Sequence, residues 1–264
     1  FNMMDFSWSR DGKKIAYVSS LTHTQKGSYS SHERPLNYLG IYSPDDKSET
    51  IQTIQSLRLL GNFSPDNKSI IAMFTHDFYN LHSMNLSTKE SVPILANALI
   101  NNVIYSGDGK SLYYMEQEIV APNTSGCTRI KQKDIQANSI TEIYQAPPKS
   151  YLENLAISPD GKWLDFCCGE YPSVQIMCIP AAGGEPIVVH NYRQDESLIK
   201  LAGWLPDSKA ILFTVSTPNR GLTNYDVTGL FKVSIEDKKV EKIWKPDKKG
   251  ILKLNVSPDG EYAA

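Results

Sequence analysis

Six aspartates recur along the chain in closely similar surroundings: Asp11, Asp66, Asp108, Asp160, Asp207 and Asp259. Carboxylates gathered at one point could hold calcium, which takes six to eight oxygen ligands, or could act as catalytic acids and bases. Each of these, however, lies in its own turn-like stretch, separated from the next by 42 to 55 residues, with local backbone donors to accept. The expectation is therefore that all six are structural turn markers. Sequence patterns that join a nucleophile to its base are absent: there is no Gly-x-Ser-x-Gly elbow, no P-loop, no Gly-x-Gly-x-x-Gly and no His-Glu-x-x-His. No catalytic residue, cofactor or metal is assigned. The four cysteines, Cys127, Cys167, Cys168 and Cys178, lack the paired C-x-x-C spacing of a zinc site. Neighbours in a strand face opposite ways, so either Cys167 or Cys168 could bridge to Cys178; buried free thiols are the simpler expectation.

The elements that carry these aspartates are short strands joined by turns. The most complete copy is Ser158-Pro159-Asp160-Gly161-Lys162, followed by Leu164 and Phe166 in alternation. Proline presets the first turn position, Asp bonds back onto its own backbone, and Gly takes the left-handed position that closes a bulged hairpin. The other copies begin at Trp8, Phe63, Tyr105, Trp204 and Val256, and each leads into alternating apolar residues or, in the last case, toward the end of the sequence. Their aspartates are spaced by 55, 42, 52, 47 and 52 residues, a period near that of propeller blades. Third strands are expected at 38–42, 81–86, 128–135, 174–179 and 230–235, and fourth strands at 50–54, 91–95, 140–144, 186–190 and 240–244. Four strands per period make a blade. Ser43-Pro44-Asp45-Asp46 imitates the anchor turns but falls out of phase with them and is read as the outer hairpin turn of the first blade.

These stretches resemble the TolB-like, Trp-Asp-like propeller repeat, in which an aromatic or aliphatic residue precedes Ser-Pro-Asp-Gly-Lys. The resemblance covers the whole chain and implies an all-β, six-bladed β-propeller of four-stranded antiparallel blades, residues 1–264 forming a single domain. The sixth blade would be incomplete, with only its first hairpin begun, and the chain a fragment of a longer one. Departures are local: Arg10 and Gly107 replace proline, Leu205 replaces serine, and Ser208 stands where Gly is preferred. The last of these challenges the bulged geometry of the fifth turn.

The resemblance implies a noncatalytic scaffold that binds a protein or peptide in a periplasmic or otherwise extracytoplasmic setting. It also allows the gating propeller of a prolyl oligopeptidase-type hydrolase, or the sensory propeller of a CadC-like membrane-bound regulator. Composition fits a folded chain, with 41% apolar residues, 14 Tyr and 4 Trp. A formal net charge of -2 supplies no basic field, so nucleic acid is not expected as a partner of this segment. No apolar run approaches the roughly 20 residues of a membrane span, so membrane insertion by this segment is not expected either.

In a four-stranded meander the first and third turns share one end, and the loop between strands two and three lies at the other with the blade-to-blade links. Longer loops at 19–37, 116–126 and 216–228 therefore collect opposite the Ser-Pro-Asp-Gly turns, where a rigid scaffold usually carries its binding residues. The candidates on that face are His23, Tyr29, His32, Glu33, Arg34, His76, Tyr79, Tyr171, Arg220 and Tyr225. His23 and His32 have no evident third ligand and are not assigned to a metal. The lysines between 238 and 249 read as a charged outer strand that protects a blade edge.

Overall fold

The computed structural model describes residues 2–20, 37–54, 57–74, 77–96, 100–117, 128–170, 173–193, 198–218, 225–246 and 255–261. The side chains of residues 2–5, 20, 37, 58–60, 77–79, 101, 218 and 225 fall outside that description. The chain divides into two compact units, Phe1–Leu99 and Ile100–Ala264. Among the described residues every regular element is a β-strand, and no helix is long and apolar enough to cross a membrane.

The first unit contains two four-stranded sheets. One is built from β1 (Asn2–Trp8), β2 (Ile15–Ser20), β3 (Asn37–Ser43) and β4 (Ser48–Ile54); the other from β5 (Leu57–Phe63), β6 (Ser69–Phe74), β7 (Asp77–Asn85) and β8 (Ser91–Leu95). The second unit contains three. They are β9 (Ile100–Tyr105) to β10 (Ser111–Glu116), β11 (Arg129–Asp134) and β12 (Ile140–Gln145); β13 (Tyr151–Ile157) to β14 (Trp163–Glu170), β15 (Ser173–Pro180) and β16 (Ile187–Arg193); and β17 (Leu198–Trp204) to β18 (Ala210–Pro218), β19 (Tyr225–Ser234) and β20 (Val240–Trp244). All five are antiparallel meanders in chain order, the form of a propeller blade.

Burial follows the strand's place in its blade. Second strands are enclosed on both faces: in β14 the residues Leu164 to Cys168 are all buried. Fourth strands face solvent, and β20 is exposed along its whole length. Alternation in β14 divides two cores. Leu164, Phe166 and Cys168 pack with Ile104, Met115 and Ile130 of the third blade, whereas Cys167 packs with Ile199, Trp204 and Phe213 of the fifth. Burying an aromatic such as Phe166 contributes about 1.5–3 kcal/mol. In the first unit Ala16, Val18 and Leu39 meet Leu57, Phe63, Ile70 and Met84 in the same manner.

The structure corrects the expected blade number. Among the described residues there are five four-stranded blades, not six. The sixth turn copy does form its turn, with Gly260 N donating to Ser257 O at 2.9 Å and Gly260 at φ +76°. Instead of heading a sheet it rests on the fifth blade: Val256 N donates to Ala202 O of β17 at 2.9 Å, and Val256 packs on Ala202, Leu212 and Leu230. A turn motif specifies one hairpin, whereas a four-stranded blade needs two further backbone ladders that the turn does not encode.

Two loops are shorter than the sequence suggests. Pairs Thr217↔Asp226 and Pro218↔Tyr225 carry the β18–β19 ladder into the stretch read as a loop from 216 to 228. Val215, Thr217, Val227 and Thr228 are β-branched and suit extended backbone. Likewise β7 starts at Asp77, so Tyr79 is a strand residue. The β10–β11 ladder closes at its loop end with Thr128 N donating to Glu116 O at 3.0 Å.

Candidate functional site

At the Ser-Pro-Asp-Gly end the recurring aspartates have a common geometry. The serine hydroxyl donates to Oδ1 at 2.6 Å in Ser9–Asp11 and Ser64–Asp66, at 2.7 Å in Ser106–Asp108 and Ser158–Asp160, and at 2.5 Å in Ser257–Asp259. The amide two residues beyond the Asp donates to the same oxygen, at 3.1 Å from Lys162 and 3.0 Å from Glu261. The serine oxygen also accepts the amide five residues on, as in Trp163 N to Ser158 Oγ at 2.9 Å. Hydrogen bonds from the serine hydroxyl and then the backbone hold the Asp66 and Asp259 carboxyls below the usual carboxylate range. Oδ1 of each of these five aspartates is thus occupied within its own turn.

The fifth turn keeps its geometry despite two departures from the pattern. Ser208 takes φ +59° and its N–H donates to Leu205 O at 2.9 Å, while Lys209 N still donates to Asp207 Oδ1 at 3.0 Å. Leu205 offers no hydroxyl and instead packs on the cluster of Ala202, Leu212 and Leu230.

The opposite end of the fourth blade carries a surface depression of about 590 Å³. Four strand ends meet there: Ser150 at the entry to β13, Gly169 and Glu170 closing β14, Ser173 to Gln175 opening β15, and Asn191 to Arg193 closing β16. Gly169 is obligatory, because a Cβ at that position would overlap the Ser173 carbonyl oxygen and the Val174 backbone. Gln175 and Asn191 are cross-strand partners, and Gln175 Nε2 donates to Asn191 Oδ1 at 2.8 Å. The pair retains the Gln175 carbonyl oxygen as acceptor and the Asn191 amide hydrogens as donors. Buried Val174 and partly buried Tyr192 supply apolar surface, with Glu170 and Arg193 of opposite charge beside them. Such a surface can hold a polar chain through hydrogen bonds while covering a small apolar group.

Of the binding residues named from sequence, His23, Tyr29, His32, Glu33, Arg34, His76, Tyr171 and Arg220 lie outside the described residues. Tyr79 and Tyr225 lie in β7 and β19, with their side chains outside the description. The depression is formed by residues that sequence reading passed over. Gly169-Glu170 before a proline signals a hairpin, but nothing local reveals that Gln175 and Asn191, sixteen residues apart, share a rung.

A second feature absent from the sequence reading is Asp165 in β14. Its side chain is fully buried, Oδ1 accepts Trp204 Nε1–H at 2.6 Å, and Oδ2 has no hydrogen-bond partner among the described residues. Desolvation pushes its pKa up to about 7, against the opposing effect of the Trp204 bond. Cys167, Cys168 and Cys178 are free and buried. Burial, and next the nearby Asp165, push the Cys167 and Cys178 thiols well above their ordinary range. Inert core thiols are the result. No group of three metal-ligating side chains occurs among the described residues.

The five four-stranded antiparallel meanders have the fold of β-propeller blades. The sequence matches no protein-family model and no curated protein. Its structure is similar to that of a putative TolB from Agrobacterium tumefaciens, with a TM-score of 0.71 and 16% identity over 99% of this chain and 88% of that one. TolB from Acinetobacter baumannii gives a TM-score of 0.68 and 17% identity over 94% of this chain and 55% of that one. The present chain thus spans little more than half of the Acinetobacter protein. A prolyl endopeptidase gives a TM-score of 0.53 and 13% identity over 92% of this chain and 42% of that one. At such identities the likeness is one of fold alone.

Proposed function

We propose that this chain is a noncatalytic β-propeller scaffold that binds a protein or peptide on the face opposite its Ser-Pro-Asp-Gly turns, in an extracytoplasmic setting. The observation that carries the reading is the depression on the fourth blade. It lies on the loop face, where a rigid scaffold leaves side chains free of the ladder, and it combines a cross-strand amide pair with apolar surface. An extended peptide suits that chemistry, because its backbone offers one donor and one acceptor per residue to the Gln175–Asn191 pair. The likeness of fold to TolB supports the extracytoplasmic setting.

Site-specific photocrosslinking in the native host tests this. A photoreactive residue in place of Asn191 is expected to yield a discrete protein adduct, and one in place of Lys162, at the turn face, is not. Equal yields from the two faces, or none from Asn191, overturn the reading. Deletion of residues 21–33, part of the stretch read from the sequence as the longest loop, is expected to leave folding intact while weakening capture.

A second reading, favoured by the endopeptidase likeness, is the gating propeller of a prolyl oligopeptidase-type hydrolase. A Gly-x-Ser-x-Gly domain beyond residue 264 in the gene would select it over the first.

A further inference from the structure

The residue five positions after the turn aspartate is buried in every blade. It is Ala16, Ile71, Tyr113 and Leu212 in four of them, and Asp165 in the fourth blade alone. An ionisable carboxyl at a position otherwise filled by apolar or aromatic groups requires its own explanation. Trp204 is 5% exposed and needs an acceptor for its indole N–H, which Asp165 Oδ1 provides across the seam between the fourth and fifth blades. A neutral amide would serve that N–H as well. What distinguishes Asp from Asn here is titration alone.

The surroundings disfavour a charge. Cys178 of β15 lies directly across from Asp165, and Cys167 follows two residues on along the same face of β14. Glu153 of β13 pairs with Cys167 and is itself raised by burial, with Lys200 of β17 acting in the opposite direction. Trp204 bonds Oδ1, Oδ2 has no partner among the described residues, and an unpartnered carboxylate oxygen in such a site is costly. The neutral acid is the form that the packing tolerates.

We propose that buried Asp165 is a proton-operated latch on the seam between the fourth and fifth blades: as a neutral acid it is accommodated by the packing, and on ionising it loosens the seam, because the Trp204 bond offsets only part of the cost of a buried charge. It links the seam to ambient acidity and is independent of what the loop face binds. The sign follows from proton counting. Between the ordinary Asp value near 4 and the folded value, the folded state holds one proton more than the unfolded state. Stability contributed by the neutral acid is therefore lost as pH rises through that window. Above it both states are ionised and the dependence is flat.

Three measurements on the full chain test the latch. In wild type labelled with 13C at the aspartate carboxyls, one carboxyl resonance is expected to titrate near pH 7; titration of every aspartate below pH 5 overturns the proposal without any variant. In urea unfolding, Asp165→Asn is expected to gain on wild type as pH rises from 4 to 7, the ratio of their unfolding constants growing about tenfold per pH unit and then levelling. Superimposable pH profiles overturn it. Trp204→Phe removes the donor that opposes the shift, so the carboxyl of that variant is expected to titrate above the wild-type midpoint; an unmoved or lowered midpoint overturns the role assigned to Trp204.

Discussion

Ser158 shows how much one small side chain does in this chain. Its hydroxyl donates to Asp160 and accepts the Trp163 amide, and the residue is 1% exposed. Ser158→Ala leaves a buried amide without its acceptor, and a loss of about 1–3 kcal/mol is expected in urea unfolding. Gly40 is a different case. A Cβ there would overlap the ring of Tyr17, whose hydroxyl donates to Glu49 Oε1 at 2.5 Å. Burial, then the Glu49 bond and charge, push the Tyr17 pKa up to about 12. Gly40→Ala is expected to displace the ring at little cost in stability and bring the Tyr17 titration back toward 10, as read by ultraviolet difference absorbance.

At the scale of elements, the departures from the turn pattern acquire a purpose. Asn67 occupies the left-handed position of the second turn at φ +56°, and its Oδ1 accepts the Arg10 amide of the first turn at 2.9 Å. Ser208 does the same for the Asp160 amide at 3.1 Å, joining the fifth turn to the fourth. In the sixth copy the matching residue is Gly260, and the space a side chain would need is taken by the Pro206 ring. The first and second turns, and the fourth to the sixth, therefore stack, and Asn67 and Ser208, short polar side chains in place of Gly, tie one turn to the next. Asn67→Gly preserves the backbone conformation and removes only that tie, so a loss of about 1 kcal/mol is expected. Asn67→Ala is expected to cost about 1–2 kcal/mol more, because alanine is strained in the left-handed region. Denaturant midpoints of the two variants separate the tie from the strain.

For the whole molecule, two sets of carboxyls bound the stability profile. The carboxyls of Asp11, Asp66, Asp108, Asp160 and Asp259 are held below their ordinary value in the folded chain. Their contribution is fully present above about pH 4 and is lost as pH falls through their folded values. Asp165, raised, has the opposite sign and weakens the chain as pH climbs from about 4 to 7. Maximum thermal stability is accordingly expected in the mildly acidic range, near pH 4–5. Melting temperatures from pH 3 to pH 9 check it, and Asp165→Asn is expected to widen the maximum toward neutrality.

The sequence by itself determined the β class, the four-stranded repeat and the turn face, because these depend on local chemistry: a proline or aspartate in a tight turn, a left-handed glycine, apolar residues at every second position. It also pointed to the face where binding should be sought. Only the tertiary structure decided that five blades form while the sixth turn rests on β17, since strand pairing is a property of two segments and not of one. The same holds for the Gln175–Asn191 pair and for the Asp165–Trp204 contact, whose partners lie 16 and 39 residues apart and meet through register and blade packing.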